Sequence, residues 1–389
     1  MGEPKLRFKA DDGSDFPNWE EKTLGEICEQ LKASIDPRNN PTKQFIEYSM
    51  PAYDNHMAAQ AVLGQSMNSA RKILSAPCVL INKLNVRKRR IWVVEHPEDN
   101  AVCSSEFVPL TSAEFDLRFL GYLAMTDSFT GYLLDCSSGS SNSQKRVTPD
   151  TILQYLVSLP SLPEQRKIAD LLSAVDDVIA AQEAEVAAWE KRKKGVMQKL
   201  FSQEVRFKAD DGSDFPDWEE KTLGDICMYE RQRSEGANFV GTENMLKDFG
   251  GVTFDNSNAD DSGTLYHPGD TLMSNIRPYL KKAWLADRKG TCSTDVLVFH
   301  PTSVEPGYLY WLIASDAFVR YVMSAAKGSK MPRGDKKHIM EMPLLLPNKD
   351  EQRKIDDCLS SLNDVIIKAK NELAKWQELK KGLLQQIFV

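Results

Sequence analysis

A segment of 22 residues occurs twice in this chain, almost unchanged. Residues 7–28 are RFKADDGSDFPNWEEKTLGEIC and residues 206–227 are RFKADDGSDFPDWEEKTLGDIC, so the two copies differ at only two positions. Internal repetition of this kind indicates that one structural unit is built more than once. The chain has 389 residues, which is enough for more than one domain. The repeat therefore predicts a duplicated architecture.

A second pair of repeats has the spacing of long amphipathic helices. Residues 164–201 begin EQRKIADLLSAVDDVI and end KKGVMQKLF, whereas residues 351–388 begin EQRKIDDCLSSLNDVI and end KKGLLQQIF. Apolar residues recur at alternating steps of four and three, as in the seam of a coiled coil. The first seam comprises Ile168, Leu172, Val175, Ile179, Gln182, Val186, Trp189, Lys193, Val196 and Leu200. The second comprises Ile355, Leu359, Leu362, Ile366, Ala369, Leu373, Trp376, Lys380, Leu383 and Ile387.

Two helices with the same register and the same seam are expected to pair with each other. The long stretch of chain between them allows an antiparallel arrangement. Each helix would be a rod of roughly 57 Å. The alternative is that each seam packs only on its own domain. We favour pairing, because neither seam is interrupted along its length.

Residues 29–160 and 228–346 share almost no sequence identity, yet their elements follow the same order. CVLINKLNVRKRRIWVV at 78–94 matches DTLMSNIRPYLKKAWLA at 270–286, and CSSEFV then matches CSTDVL. A helix-like segment (113–126 and 306–326), a Gly-Ser-led basic loop and an apolar strand ending in Leu-Pro follow in both. This order predicts an α+β fold in two divergent copies.

The charge of the chain is unevenly distributed. Its net charge of −7 is unusual for a DNA-binding protein, because phosphate contacts require Lys and Arg. Residues 8–28 and 207–227 carry −4 and −5, so the rest of the chain carries +2. From Arg71 to Val94 there are seven basic residues and no acidic one. The variable segments are therefore the candidates for contact with nucleic acid.

Four polar, basic loops form two matched pairs in the variable segments. Arg and Lys can hold phosphates and bind guanine, and Asn and Gln can bind adenine in the major groove. The candidate DNA-binding residues of the first variable segment are Lys83, Asn85, Arg87, Lys88, Arg89, Arg90, Gln144, Lys145 and Arg146. Those of the second are Asn275, Arg277, Tyr279, Lys281, Lys282, Lys330, Arg333 and Lys336.

The sequence contains no recognisable catalytic or metal-binding motif. It has no GxGxxG, no GxxxxGK[ST] and no GxSxG, and its seven cysteines and five histidines form no metal-ligand spacing. Glu20-Glu21-Lys22 resembles part of a nuclease core, but beside Trp19 a capped and packed turn is the better interpretation. No catalytic residue and no metal ligand are therefore expected. The absence of a signal peptide and of a long apolar run favours the cytoplasm.

Several of these motifs together resemble a known family. They are FKADDGSDFPxWEEKTLGxIC, Leu-Pro followed by EQRKI, a long helix ending KKGxxQxxF, and NIRPYLKKAW with CSTDVLVF and KMPRGDK. Over nearly its whole length the chain is similar to the specificity (S) subunits of type I restriction–modification systems. The resemblance implies two target-recognition domains, each reading one half of a split DNA site, and an antiparallel coiled coil that sets the distance between them.

The same resemblance implies the partners. Two methyltransferase (M) subunits would dock on the repeated regions, and restriction (R) subunits would complete the complex. The specificity subunit would be non-catalytic and without a cofactor, whereas S-adenosylmethionine, ATP and magnesium would belong to the partner subunits. The implied segments are two target-recognition domains at 1–160 and 205–347, each followed by a coiled-coil helix, at 161–204 and 348–389.

Two other functions stay open on the residues alone. The chain could be a coiled-coil adaptor whose globular domains bind proteins rather than DNA. It could also be a nuclease with an unrecognised centre, which we consider less consistent with the motifs. The basic loops distinguish these hypotheses, because an adaptor would not depend on them.

Overall fold

The computed structural model describes residues 4–139, 144–236, 238–254 and 262–388. The chain forms two compact units. Unit 1 consists of Met1–Ala184 and Asn371–Val389, and unit 2 of Glu185–Lys370. Each unit therefore contains one copy of the 22-residue repeat, one variable segment and a part of both long helices.

The elements are numbered in chain order. The helices are α1 (Leu24–Ile27), α2 (Met50–Asp54), α3 (Leu117–Ala124), α4 (Asp127–Asp135), α5 (Pro149–Leu153), α6 (Leu162–Phe201), α7 (Leu223–Ile226), α8 (Pro306–Ile313), α9 (Asp316–Ser324), α10 (Lys336–Met340) and α11 (Lys349–Ile387). The strands of unit 1 are β1 (Glu20–Thr23), β2 (Glu29–Gln30), β3 (Ser34–Ile35), β4 (Gln44–Tyr48), β5 (Gln60–Leu63), β6 (Arg71–Ile73), β7 (Cys78–Asn82), β8 (Ile91–Val94), β9 (Ala101–Ser104), β10 (Phe107–Thr111) and β11 (Leu156–Leu159). Those of unit 2 are β12 (Glu219–Thr222), β13 (Cys227–Tyr229), β14 (Arg233–Glu235), β15 (Ser262–Tyr266), β16 (Thr271–Ser274), β17 (Ala283–Leu285), β18 (Gly290–Cys292), β19 (Val296–Pro301) and β20 (Pro343–Leu346).

Unit 1 is built on a four-stranded sheet in the order β2-β10-β7-β8 and a five-stranded sheet in the order β3-β6-β9-β4-β5. Every residue of β7 is buried. Val79 and Ile81 on one face belong to the main core with Phe119 of α3, whereas Cys78 and Leu80 on the other face belong to a second core. The continuous apolar run of β7 is thus explained by burial on both faces of the sheet.

Unit 2 repeats this design with shorter elements. Its four-stranded sheet has the order β13-β19-β16-β17, equivalent strand by strand to that of unit 1, beside a three-stranded sheet β14-β15-β18. The predicted match of residues 78–94 with 270–286 corresponds to the hairpins β7–β8 and β16–β17. The prediction of an α+β domain in two divergent copies is confirmed.

A helix-like segment was expected at 113–126 and at 306–326, and each unit instead has two consecutive short helices, α3–α4 and α8–α9. The hydroxyl groups of Thr126 and Ser315 accept hydrogen bonds from the backbone N–H groups of Phe129 and Phe318, at 3.2 and 3.0 Å. This N-capping begins α4 where the segment predicted in unit 1 ends, and it divides the segment predicted in unit 2 into α8 and α9. The sequence signal, a hydroxyl residue before Asp, was present in both copies.

The tripeptide Glu20-Glu21-Lys22 forms part of a strand and not the turn that was expected. Strand β1 pairs antiparallel with β11, and β12 pairs in the same way with β20. A capped turn follows immediately, where the Glu26 carboxylate accepts hydrogen bonds from the Thr23 backbone at 2.5 Å and hydroxyl at 2.7 Å. The apolar strand ending in Leu-Pro explains the extended conformation, because it supplies the partner backbone.

In unit 1 a buried carboxylate links the 22-residue repeat to the start of the long helix α6. Glu164, in the first turn of α6, has no exposed surface. Its oxygens accept hydrogen bonds from the Arg7 guanidinium at 2.9 and 3.2 Å and from the Trp19 indole N–H at 3.1 Å. The same guanidinium donates to the carbonyl oxygens of Phe16 and Pro17, at 3.3 and 2.7 Å. The 22-residue repeat is therefore folded around one acidic side chain.

Unit 2 contains the same arrangement. Glu351, also fully buried, accepts hydrogen bonds from the Arg206 guanidinium at 2.8 and 3.1 Å and from the Trp218 indole at 2.9 Å. Arg206 again donates to two backbone carbonyl oxygens, of Phe215 and Pro216. Each copy of the 22-residue repeat thus binds the long helix that follows it in the chain.

The next residues of the EQRKI motif complete this junction. The Gln165 side chain donates to the Pro160 carbonyl oxygen at 2.9 Å and accepts from the backbone N–H of Asp116, at the start of α3, at 2.9 Å. Lys167 donates to the carbonyl oxygen of Lys9 at 2.8 Å. The equivalent bonds of Gln352 and Lys354 are present in unit 2.

Within each unit the two long helices run antiparallel. In unit 1 Lys380 forms an ion pair with Asp176 at 2.5 Å, and Gln377 donates to Glu183 at 3.4 Å. In unit 2 Lys370 pairs with Glu190 at 2.6 Å, and Lys193 donates to Asn363 at 2.9 Å. In both units the residue numbers rise along one helix while they fall along the other. The predicted antiparallel pairing is confirmed within each unit.

The seam residues named from the heptad spacing are buried or half-buried. Near the start of each helix they join the core of a globular domain: Ile168 and Leu172 in unit 1, Ile355 and Leu359 in unit 2. Ile387 at the end of α11 also belongs to the core of unit 1. Packing on the unit's own domain and helix pairing thus occur along the same seam.

We expect Glu351→Ala to lower the free energy of unfolding by about 2–3 kcal/mol, because Arg206 and the Trp218 indole lose their shared acceptor. Urea denaturation followed by tryptophan fluorescence measures this change. The control is Glu219→Ala, since Glu219 is exposed and forms an ion pair with Lys221 at 3.2 Å; it should change the value by less than about 0.5 kcal/mol. Equal effects of the two substitutions would contradict the importance of the buried carboxylate.

Candidate nucleic-acid interface

The two basic loops of unit 1 lie side by side. The β7–β8 connection (residues 83–90) and residues 144–147 are called loop pair 1. The backbone N–H of Asn85 donates to the Lys145 carbonyl oxygen at 2.7 Å, and that of Val147 donates to Lys83 at 3.0 Å. Residues 140–143 of the second loop lie outside the described part of the chain. The fold thus unites two basic segments that are distant in sequence.

Unit 2 brings its two basic loops together in the same way. The β16–β17 connection (residues 275–282) and residues 327–337 are called loop pair 2. The backbone N–H of Arg277 donates to the Pro332 carbonyl oxygen at 2.8 Å. Arg333 forms a β-bridge with Ile276, as Arg146 does with Leu84 in unit 1. Loop pairs 1 and 2 are therefore equivalent positions of the two copies.

An ion pair between an arginine and an acidic residue connects each loop pair to the four-stranded sheet. Arg146 forms an ion pair with Glu106 at 3.1 Å, and Arg333 forms one with Asp295, also at 3.1 Å. Both acids lie in the turn that precedes an inner strand of the four-stranded sheet. The two ion pairs therefore occupy equivalent positions in the two units.

A second pair of ion pairs connects each loop pair to a helix. Arg89 pairs with Asp127 at the start of α4, and Lys281 pairs with Asp316 at the start of α9, at 2.7 Å. A hydrogen bond from Arg89 lowers the pKa of Asp127, and Lys194 together with Lys281 lowers that of Asp316. A negative charge at these helix N-termini is favourable in itself. Sequence reasoning missed these acids, although both directly follow a capping residue.

The candidate DNA-binding residues differ in their exposure. The exposed ones are Arg87, Lys88, Arg89, Gln144, Arg146, Tyr279, Lys330, Arg333 and Lys336. The half-buried ones are Lys83, Asn85, Lys145, Arg277, Lys281 and Lys282. Arg90 and Asn275 are buried, at 8% and 7% exposure.

Two further candidate cations, Arg90 and Lys282, bind oxygen atoms within their own units. The Arg90 guanidinium binds both oxygens of Asp54, at 2.8 and 2.7 Å, and this hydrogen bonding lowers the pKa of Asp54. Lys282 donates to the Thr242 carbonyl oxygen at 2.6 Å, and burial lowers the pKa of its amine. The structure gives these side chains a role in holding the loops.

Loop pair 2 also forms a basic concavity of about 560 Å³. Lys327, Arg333, Lys336 and Lys337 line it together with one acid, Asp335. Hydrogen bonding from Lys327 lowers the pKa of Asp335 to about 2. A concave surface of one dominant sign concentrates the electrostatic potential and attracts anions.

Membrane-spanning and metal-binding features were also sought among the residues that the structure describes. None of the helices there combines the length and the apolar composition that a bilayer span requires. No group of three or more His, Cys, Asp or Glu side chains in these ranges is placed to hold a metal ion.

Comparison with known families matches both halves of the chain. The model of the type I restriction modification DNA specificity domain matches residues 17–188 and again residues 216–376. The chain belongs to this family. The resemblance inferred from the repeated motifs is therefore confirmed, and the loop pairs lie within the two specificity domains.

Relatives and solved structures agree with this assignment. The MjaVIII type I restriction enzyme specificity subunit of Methanocaldococcus jannaschii is 23% identical over 265 residues, which cover 60% of this chain and 61% of that subunit. The chain thus spans less than two thirds of the length of that relative.

Two solved structures share the fold of the chain. One comes from a study of complex assembly and conformational transition of the type I R-M system, with a TM-score of 0.61, 21% identity and coverage of 96% of this chain and 98% of that one. The other is the type I restriction–modification S subunit from M. genitalium, with a TM-score of 0.60, 15% identity and coverage of 100% and 99%. At these identities the likeness concerns the fold, and it confirms the predicted architecture.

We expect Arg87→Ala and Arg90→Ala to have different effects. Arg87 is exposed and forms no ion pair with the described residues, so its loss should weaken DNA binding and reduce the salt dependence by about one charge, at unchanged stability. Loss of Arg90 should instead cost about 1 kcal/mol of folding stability. Fluorescence anisotropy at several salt concentrations and urea denaturation measure the two effects.

The stability effect of Arg90→Ala should also depend on pH. The folded-state pKa of Asp54 is lowered, so the stabilisation is present above the unfolded-state value of about 3.9 and is lost as pH falls through the folded-state value. The difference in stability between wild type and variant should therefore shrink below about pH 4. A constant difference down to pH 2 would contradict the assignment of this ion pair.

Proposed function

We propose that the chain is the DNA specificity subunit of a type I restriction–modification complex. Each specificity domain binds one half of a bipartite DNA sequence through its loop pair. The observation that carries this proposal is the equivalence of the two loop pairs, which have the same backbone contacts and ion pairs but different exposed side chains. Equivalent supports with different exposed residues are what two readers of unlike half-sites require.

The charge distribution supports DNA rather than a protein ligand. Loop pair 1 exposes Arg87, Lys88, Arg89 and Arg146, and loop pair 2 exposes Lys327, Lys330, Arg333, Lys336 and Lys337. The acidic segments at 8–28 and 207–227 lie apart from these loops, against the long helices. Phosphate contacts would supply the affinity and fix the orientation, and side chains that reach base edges would supply specificity. A protein-binding adaptor would not need this separation.

The long helices would set the spacing of the two half-sites. Binding sites on one face of a duplex recur about every 34 Å, and a helix of 40 residues spans about 60 Å. The four segments predicted from the sequence, two target-recognition domains at 1–160 and 205–347 and two helices at 161–204 and 348–389, remain the proposed functional division. A stiff connection also reduces the entropy lost when both domains bind together.

The proposed partners carry the chemistry. Two methyltransferase subunits would dock on the repeated regions, and restriction subunits would complete the nuclease. Adenine methylation requires the base to leave the duplex and enter an active-site pocket. That pocket, and the S-adenosylmethionine that supplies the methyl group, would belong to the methyltransferase. ATP and magnesium would serve the restriction subunits. The present chain would contribute placement without catalysis, in the cytoplasm with the chromosome.

The complex of this chain with its methyltransferase should methylate adenine within one bipartite sequence with a fixed spacer. Single-molecule sequencing of DNA modified by the purified complex identifies that sequence. In the double variant Arg87→Ala and Lys88→Ala, which keeps the internally paired Arg89 and Arg90, recognition of one half-site should be lost while the other half-site stays preferred. Methylation at a contiguous or random sequence would contradict the proposal, as would magnesium-dependent cleavage by the chain alone.

Lengthening both helices should lengthen the spacer. Seven residues inserted after Ala180 of α6 and seven after Gln377 of α11 preserve the heptad seams and add about 10 Å, or about three base pairs. The same sequencing assay gives the spacer length. The control inserts two residues at each point, which rotates the seam by about 200° out of phase and should abolish methylation. A fully active heptad variant with the original spacer would contradict this role of the helices.

A further inference from the structure

The β7–β8 and β16–β17 connections can be compared residue by residue. Trp92 and Trp284 occupy equivalent places in β8 and β17, and Leu84 and Ile276 make equivalent β-bridges. No insertion separates these reference points, so position 85 corresponds to 277 and position 87 to 279. Each position of one loop therefore has a defined counterpart in the other.

At most of these matched positions the side chain is buried or bound to another residue of the same unit. Val86 and Pro278 are buried. The cations at 89 and 281 pair with the acid at the start of the following helix. At 90 and 282 the cation binds an internal oxygen, of Asp54 or Thr242. These side chains support the loop and cannot vary freely with the DNA sequence that is bound.

The position before the β-bridge is also constrained. The backbone N–H of Lys83 donates to the backbone carbonyl oxygen of Glu106 at 2.9 Å, and that of Asn275 donates to the backbone carbonyl oxygen of Asp295 at 2.8 Å. Asn275 is 7% exposed, so its amide is withdrawn from the surface. This pair of positions therefore serves the connection between the loop and the inner strand.

Positions 85 and 87 of unit 1, and their counterparts 277 and 279 of unit 2, have different properties. Asn85 and Arg277 have left-handed backbone conformations, with φ of 54° and 50°. Such a conformation is uncommon outside glycine and costs of order 1 kcal/mol, so it persists where the surrounding structure imposes it, often at functional sites. Asn tolerates this region better than most residues, whereas Arg has no such advantage.

The side chains at these positions also differ between the units. Asn85 corresponds to Arg277, and exposed Arg87 corresponds to exposed Tyr279. The Nε atom of Arg277 is buried without a hydrogen-bond partner in the described residues. Such a donor is costly to leave unsatisfied. Arg277 thus combines a strained backbone conformation with a guanidinium Nε–H group that has no hydrogen-bond partner in the described residues.

We propose that positions 85 and 87 of unit 1, and 277 and 279 of unit 2, determine which bases each domain accepts. The matched pairs Arg146–Glu106 and Arg333–Asp295 instead position the loops on the DNA backbone and are blind to base identity. This inference rests on the proposed DNA-binding function and specifies which part of each loop pair discriminates.

The chemistry of these residues indicates different bases for the two domains. The Asn side chain can donate a hydrogen bond from its amide nitrogen to adenine N7 and accept one from the adenine N6 amino group with its oxygen, whereas an Arg guanidinium can donate to both N7 and O6 of guanine. Asn85 and Arg87 therefore favour adenine and guanine in the first half-site. Arg277 favours guanine in the second, where Tyr279 presents a ring and a hydroxyl group in place of Arg87.

The test exchanges the residue types between units. The double variant Arg277→Asn with Tyr279→Arg gives unit 2 the residues of unit 1, and Asn at 277 is compatible with the left-handed backbone. Wild-type and variant complexes with the methyltransferase are each incubated with a DNA library randomised at both half-sites, and methylated molecules are sequenced. We expect the base preference to change about 10-fold or more at one or two positions of one half-site, with the other half-site and the spacer unchanged.

The matched control is Arg333→Ala. Its loss should lower methylation of all sequences in the library together while the order of preference stays the same. The reciprocal variant, Asn85→Arg with Arg87→Tyr, should alter only the other half-site. Thermal unfolding of each variant identifies a loss of folding, in which case the single variants Arg277→Asn and Tyr279→Phe replace the double variant.

The outcomes separate the two levels of inference. If the wild-type complex shows no bipartite preference, the proposed function itself is wrong. If the wild type has a preference that a folded Arg277→Asn, Tyr279→Arg variant retains, the assignment of these positions is overturned and the function stands. A change of base preference in Arg333→Ala would likewise overturn the division between positioning and discriminating residues.

Discussion

The architecture of each unit depends on one buried carboxylate at the start of a long helix. Glu164 and Glu351 have no exposed surface, and a buried charge is tolerated only where it is paired and hydrogen-bonded. The arginine and tryptophan that satisfy it lie 157 and 145 residues away in unit 1, and 145 and 133 residues away in unit 2. This contact explains why the 22-residue segment and the start of the long helix are nearly identical in the two copies. The variable segment between them makes no part of the contact, and it differs in length and sequence.

The same logic of constant support and variable surface continues in the loop pairs. Two ion pairs recur at equivalent positions in the domains, one to a strand turn and one to a helix N-terminus. They leave a few unlike side chains half-buried or exposed, chiefly at 85 and 87 or 277 and 279. A loop whose backbone is fixed can change its exposed residues without losing its orientation, which suits a family whose members must recognise different DNA sequences.

The antiparallel helices show a related use of polar residues in an apolar seam. Lys380 lies against Tyr122 and pairs with Asp176, whereas the equivalent Lys193 lies against Trp311 and donates to Asn363. Burial lowers the pKa of Lys193, so its position in the seam has an energetic cost. Polar residues in a seam penalise other registers more than the native one, and in this way they specify how the helices align.

Periodicity and repetition were enough to predict the duplicated α+β architecture, the two long helices and the family, because these depend on local spacing and on motifs that survive in one chain. The sequence also placed the basic loops, since charge is visible without a fold. It did not separate Arg90, which is buried against Asp54, from exposed Arg87, because burial is decided by residues distant in sequence. Likewise, only the tertiary structure brought Arg146 to Glu106 and Arg7 to Glu164, since an ion pair across 40 or 157 residues leaves no periodic signal.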